Sequence, residues 1–185
     1  MLRNILAALI LTAAPALAQD GPGPNLVIEV DGQAKGTVVV DLLPDLAPKH
    51  VAQITALAGQ GAYDGVVFHR VIDGFMAQTG DVEFGKGEDL SRAGTGGSTL
   101  PDLPAEFSAE TFDRGVVGMA RAASPDSANS QFFIMFAPGP FLDGQYTVVG
   151  RVISGMEVVD AIKRGEGQNG EVSAPDRMAK VTVAP

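Results

Sequence analysis

Cysteine is absent from the 185 residues, tryptophan is absent as well, and histidine occurs only as His50 and His69. Without cysteine there is no thiol nucleophile, no thiolate metal ligand and no disulfide, so stability must come from the hydrophobic core. His50 falls on a presumed helix with no HExxH partner and is expected to be a solvated helix residue. His69 is expected to be held by backbone hydrogen bonds, and no metal site follows from this pair. There is no G-x-S-x-G elbow to support a serine triad. Positive charge is scarce: 13 Lys and Arg stand against 22 Asp and Glu, a net charge of −9. Such a chain lacks an electrostatic footprint for nucleic acid and is repelled by anionic lipid. The carboxylates are expected to face solvent, none being set in an apolar run as a glycosidase acid would be.

Long hydrophobic runs are scarce too. The main one, "ILAALILTAAPALA" from Ile5 to Ala18, follows Arg3, contains Pro15 and ends in Ala16-Leu17-Ala18. A positive start, an apolar stretch too short for a bilayer and an A-x-A site predict a secretory signal peptide over 1–18 rather than an anchor. Cleavage would remove Arg3, take the net charge from −9 to −10, and leave nothing to insert in a membrane. A Gly/Pro-rich lead-in, 19–25, then precedes a single domain over 26–185.

That domain is rich in strand signals. Eight runs of Val, Phe and Ile occur at 25–30, 37–42, 66–72, 76–79, 115–120, 131–136, 146–152 and 178–183. Turn pairs such as Asp31-Gly32, Asp73-Gly74 and Asp143-Gly144 punctuate them. Two segments have helical spacing instead. "APKHVAQITALAGQG" places Pro48 at a first helical position, Val51, Ile54 and Ala58 on one face, and Gly59 or Gly61 at the end. "SGMEVVDAIKRG" offers Ser154 and Glu157 as a capping box, Val158, Val159 and Ile162 at helical spacing, and Lys163-Arg164-Gly165 as a stop. The fold class is therefore all-β dominated: a small barrel whose open ends two short helices close. Between strands, 82–114 is a long irregular excursion. Its glycines at 94, 96 and 97 do not form a phosphate loop, and they read as backbone shaping one wall of a cleft.

The chain has a surplus of apolar surface. In "SQFFIMF", Gln131, Phe133 and Met135 share one face, and Phe132, Ile134 and Phe136 the other. One face fills the barrel. The other is either a second core beneath the excursion or a pocket, and Phe75, Met76, Phe141 and Leu142 beside glycine-containing turns belong to the same question. Arg70 and Gln78, polar groups flanking the cluster, favour a pocket with convergent donors. An apolar cup with an arginine, a glutamine and no nucleophile suits rotation about an X-Pro bond, whose barrier is ~20 kcal/mol. Acceleration from ~100 s to ~1 ms needs about 10⁵-fold, or roughly 7 kcal/mol. The twisted amide nitrogen accepts a hydrogen bond that the planar ground state cannot, so a guanidinium aimed at it binds the transition state alone.

"FHRVIDGFMAQTGD" from Phe68, "GTGG" at 94–97, "GVVGMARAASPDSANSQFFIMF" and "FLDGQYTVVGRV" resemble the signature blocks of the cyclophilin-type peptidyl-prolyl cis-trans isomerases, in particular their exported bacterial branch. The likeness runs in order from about Leu26 to Val183. It implies an eight-stranded antiparallel barrel capped by two helices, and no cofactor or metal. In the catalytic set it implies, Arg70 is the donor, Gln78 holds the substrate backbone and Phe75 borders the proline. Met76, Phe133 and Leu142 match the rest of the proline pocket; Ala120, Arg121 and Gln131 match the groove for residues before proline. His69 matches a motif histidine without an assigned role.

Four positions depart from the family pattern. Phe141 stands where cyclosporin-sensitive members carry tryptophan, so weak cyclosporin binding is expected. Tyr146 replaces a frequent histidine at the pocket wall. Arg121 replaces a common asparagine and is expected to favour acidic residues before proline. Thr79 replaces a glycine and is expected to set a side chain beside Gln78. The resemblance implies a monomeric periplasmic isomerase acting on proline-containing segments of unfolded or extended proteins, with full secretion an open alternative. A cyclophilin-fold holdase without useful turnover is the rival, and a purely structural β domain ranks behind both.

Overall fold

The computed structural model describes residues 20–185, so the expected leader, 1–18, lies outside the described residues. The strands are β1 (Asn25–Asp31), β2 (Gly36–Leu42), β3 (Val66–Val67), β4 (Arg70–Ile72), β5 (Met76–Thr79), β6 (Val116–Met119), β7 (Phe132–Met135), β8 (Val148–Ser154) and β9 (Arg177–Ala184). Two helices, α1 (Pro48–Gly59) and α2 (Met156–Ala161), and a 3₁₀ turn over Pro140–Leu142 complete the elements. Every ladder is antiparallel, in the order β3-β9-β1-β2-β8-β6-β7-β5-β4.

The all-β reading holds, but the eight runs give nine strands because 66–72 divides at Phe68 and His69. Its first half pairs with β9 and its second with β5, at opposite ends of the sheet. The run therefore crosses the seam where the curled sheet comes round on itself. Phe68 N–H donates to Asp176 O at 2.8 Å, and Thr79 Oγ1 donates to Val67 O at 2.9 Å. Alternation along β5 thus turns Thr79 away from Gln78 and into the interior, against the expectation that it would stand beside that residue.

Both helices feed the barrel core: Val51, Ile54, Leu57 and Ala58 from α1 join Val158 and Val159 from α2, with Leu26, Ile28, Val40 and Phe132 from the sheet. The expected capping box of α2 is not formed. Its N-cap is Gly155 at φ +84°, with no side-chain cap, and a Cβ there would lie 2.1 Å from Thr37 O. The chain turns so sharply out of β8 that Ser154 still belongs to the strand.

At α1 the sequence reading of His50 is overturned. The ring is fully buried, and its Nδ1 lies 2.6 Å from Glu106 Oε2. Glu106 also accepts the Lys49 and His50 backbone N–H groups at 3.1 and 3.2 Å, capping a helix whose own N-cap, Ala47, has no side-chain oxygen. Burial works against the Glu106 carboxylate, but these hydrogen bonds outweigh it and hold its pKa low. The carboxylates are not uniformly solvent-facing either: Asp41, Asp81 and Asp176 are buried. Asp81 and Asp176 accept backbone N–H groups, which solvate a carboxylate in place of water. Burial raises the pKa of Asp41, with Asp20 adding to the effect, against the Gly21 N–H and Arg151.

Candidate functional site

The site is built on one row of cross-strand pairs. Arg70 of β4 faces Gln78 of β5, Gln78 faces Phe133 of β7, and Phe133 faces Gly118 of β6. Residues paired across antiparallel strands share a face. Strand β7 accordingly separates two apolar clusters: Phe132, Ile134 and Phe136 fill the barrel, while Phe133 and Met135 join Met76, Phe112, Val116, Leu142 and Val148 outside it. Both readings of the second face are realised. It is a second core, buttressed by Phe112 from the excursion, and its open margin is a pocket.

That pocket has a volume of about 430 Å³. Arg70 and Gln78 stand on one side and Phe75, Met76 and Phe133 beside them. Phe141, Leu142 and Tyr146 complete its lining, with Ala120 and Arg121 where it meets a second groove of about 480 Å³. Gln131 and the 94–98 backbone line that second groove, as the glycine pattern predicts for a cleft wall. Of the residues that the family resemblance assigned to the site, His69 alone lines neither.

A chain of hydrogen bonds sets the polar side. Arg70 Nε donates to Asn169 O at 3.0 Å and Nη1 to Gln78 Oε1 at 3.1 Å. Gln78 Nε2 donates to Gln131 Oε1 at 2.9 Å, and Gln131 Nε2 to Gly94 O and Gly96 O at 3.0 and 2.8 Å. The same two glycines donate their N–H groups to Asp81 Oδ2, at 2.7 and 3.0 Å. Each amide orientation is fixed by its neighbour, so the relay ends with Arg70 held in one pose. Among the described residues nothing accepts from Arg70 Nη2, which is therefore free for a ligand. Burial lowers the Arg70 pKa, with Tyr146 opposing, yet a guanidinium keeps its proton.

His69 lies beneath this relay. It is buried, neither ring nitrogen has a hydrogen-bond partner, and the ring packs against Gly94, where a Cβ would come within 2.8 Å of Cδ2. The expected backbone tether is reduced to a weak contact with the Val67 backbone, which like the Gln131 side chain favours the protonated ring but falls short of hydrogen-bond geometry. Burial brings its pKa down to about 4; the Asp81 carboxylate opposes this and the Arg70 charge adds to it, so the ring is neutral at pH 7. Sequence reasoning missed Asp81, Phe112 and Gln145. The only signal for Asp81 was its place at the end of a motif, and Phe133 and Tyr146, the aromatic partners of Phe112, lie far along the chain.

A family model described as cyclophilin type peptidyl-prolyl cis-trans isomerase/CLD matches residues 26–183. The chain belongs to the cyclophilin family. A Brucella suis protein named probable peptidyl-prolyl cis-trans isomerase is 66% identical over 152 residues, covering 80% of this chain and 78% of that one. An Arabidopsis thaliana peptidyl-prolyl cis-trans isomerase is 38% identical over 152 residues, covering 77% and 66%. Among solved structures, a Hirschia baltica cyclophilin superposes with a TM-score of 0.72 at 27% identity, covering 88% of this chain and 74% of that one. A Cryptosporidium parvum cyclophilin type isomerase, crystallised in the presence of the dipeptide ala-pro, shares the fold at a TM-score of 0.75 and 24% identity, covering 87% and 99%. The enzyme class of this cyclophilin is peptidyl-prolyl cis-trans isomerase.

Three of the departures from the family pattern sit at this cyclophilin's pocket rim. Phe141 is 62% exposed, with its ring 5.4 Å from that of Phe75. Tyr146 packs edge-on against Phe133 at 5.9 Å, and the Arg121 guanidinium lies 4.4 Å from the Tyr146 ring centre. Arg121 donates to Ala122 O, Ala123 O and Gln145 O, which ties one rim of the groove to the other.

Proposed function

We propose that this cyclophilin isomerises X-Pro bonds by donating a hydrogen bond from Arg70 to the nitrogen of the twisted amide. The observation that carries the reading is the free Nη2 edge of a guanidinium whose other groups are fixed, beside an apolar pocket of about 430 Å³. The planar amide nitrogen has no lone pair to offer, and the twisted one does, so the bond exists only near the top of the barrier. An aimed donor in a water-poor site contributes about 10²–10³-fold, or roughly 3–4 kcal/mol. Of the ~7 kcal/mol required, the remainder falls to the ring seat formed by Phe75, Met76, Phe133 and Leu142 and to desolvation. Gln78 uses both ends of its amide on Arg70 and Gln131, which makes it a positioning residue for the donor. That a related cyclophilin was crystallised with ala-pro supports proline as the occupant of the seat.

The substrates are proline-containing segments of extended chains, and the N-terminal sequence favours a periplasmic setting. Exposed Phe141 supplies no N–H, which supports weak cyclosporin affinity. Exchange NMR on an Ala-Pro peptide with catalytic amounts of protein tests the mechanism. Arg70→Ala should slow exchange about 10²-fold while peptide binding persists. Binding without faster exchange in the wild type would leave a holdase.

A further inference from the structure

Gly118 is a glycine for want of space. It lies within β6, it is not among the residues with positive φ, and its strand backbone would suit any side chain. An added Cβ, however, would meet Phe112 Cε1 at 2.5 Å and Phe133 Cζ at 2.6 Å, closer than real Cβ atoms come to anything. The volume that a residue at 118 would fill is taken by two aromatic rings. One of them, Phe133, is the floor of the proline seat and the direct cross-strand partner of Gly118. The other, Phe112, comes from the end of the excursion and does not touch the pocket.

Phe112 is 1% exposed and stacks on Phe133 with centroids 5.8 Å apart and planes 23° from parallel. Its edge contact with Tyr146 is 6.5 Å at 82°, so it backs a pocket wall as well as the floor. The main chain at 112 is fastened to the segment that carries the rest of the wall. Phe112 N–H donates to Asp143 Oδ1 at 2.8 Å, and Gly139 N–H donates to Phe112 O at 2.8 Å, bracketing Phe141 and Leu142. Phe133 and Tyr146 therefore rest on one ring, and the segment that carries Phe141 and Leu142 is tied to the main chain behind it. Since this ring can occupy its place only while position 118 has no side chain, the two residues form a unit.

We infer that Phe112 and Gly118 are positioning residues for the isomerase: together they set the tilt of Phe133 and Tyr146, and through them the seat of the substrate proline. The inference rests on the isomerase reading above. Side-chain volume at 118 is exchanged against volume at 112, and a methyl added at one should be tolerated if the other is trimmed. Close-packed rings allow little else, since a displacement of Phe112 is passed directly to Phe133.

The test compares wild type, Gly118→Ala, Phe112→Leu and the double variant by exchange NMR and affinity on an Ala-Pro tetrapeptide. Gly118→Ala should lose at least tenfold in kcat/KM, mostly through KM, with displaced Phe133 and Tyr146 ring resonances. The double variant should return to within threefold of wild type. A merely structural pair would change melting temperature but leave KM and ring shifts of the folded protein alone. The inference is overturned if folded Gly118→Ala stays within twofold of wild type, or if the double variant is no better than the single. Should Gly118→Ala not fold, Phe112→Leu decides: a KM raised at least threefold supports the inference, and an unchanged one overturns it. A wild type that binds the peptide without speeding exchange would remove the isomerase reading instead, and the dissociation constants of the same proteins would still decide the role of the pair.

Discussion

Two residues adjacent in sequence, His69 and Arg70, meet the cost of polar burial in opposite ways. Arg70 keeps its charge and is half-buried with partners for Nε and Nη1; His69 gives up its charge and is buried with only weak contacts to the Val67 backbone and Gln131 among the described residues. The second choice has a pH signature. In the unfolded chain the imidazole takes a proton near 6.5, in the fold only near 4, so between these values the unfolded state binds more protons. The stability that depends on a neutral His69 is complete above about pH 6.5 and is lost as pH falls toward 4. At ~1.4 kcal/mol per pH unit the loss is on the order of 3 kcal/mol. Urea titrations at pH 7 and pH 4 should show His69→Gln losing about 2–3 kcal/mol less than wild type. Equal losses would remove His69 from the acid response. The motif histidine was visible in the sequence; its lack of partners was not, because that depends on Gly94 arriving over the ring from a distant loop.

Elements were legible where local chemistry decides them and obscure where a distant residue does. Pro48 and the Val51, Ile54 and Ala58 spacing placed α1, and alternation in "SQFFIMF" correctly assigned its rings to two faces. Pro48 also marked the first residue of α1, but its cap could not be read, since Glu106, 57 positions from Lys49, supplies it. Glu106→Ala removes the acceptor of two helix N–H groups and the partner of a buried histidine. A loss of roughly 2–4 kcal/mol is expected in denaturant melts, above the ~1 kcal/mol of an ordinary cap. A change below 1 kcal/mol would mean that the helix end is capped in some other way. The relay from Asp81 to Arg70 was half legible. Arg70, Gln78 and Gln131 belong to recognisable motifs, whereas Asp81 acts through loop amides that no periodicity marks.

At the scale of the molecule, the surface around the pocket matters less than the seam beside it. The seam falls within one run, 66–72, which the hydrophobic pattern shows as a single strand because both halves are apolar. Only pairing reveals that the halves serve opposite ends of the sheet. Thr79→Val, close in shape but without the hydroxyl, should cost about 1 kcal/mol by removing the bond to Val67 O. Its effect on peptide exchange should be less than twofold, since the hydroxyl faces away from the pocket; a larger fall in kcat would show that seam and site are coupled. Strand β9 carries the more far-reaching consequence. It lies between β3 and β1, and without it neither has that neighbour. A chain emerging from its N-terminus must therefore hold β1 and β3 unsatisfied on one side until 177–184 appear. Such non-local pairing delays the main loop closures until β9 has been made and makes folding a late, concerted event. Copies stalled or cut short before β9 would keep two strand edges open to one another, so β9 acts as the guard against self-association.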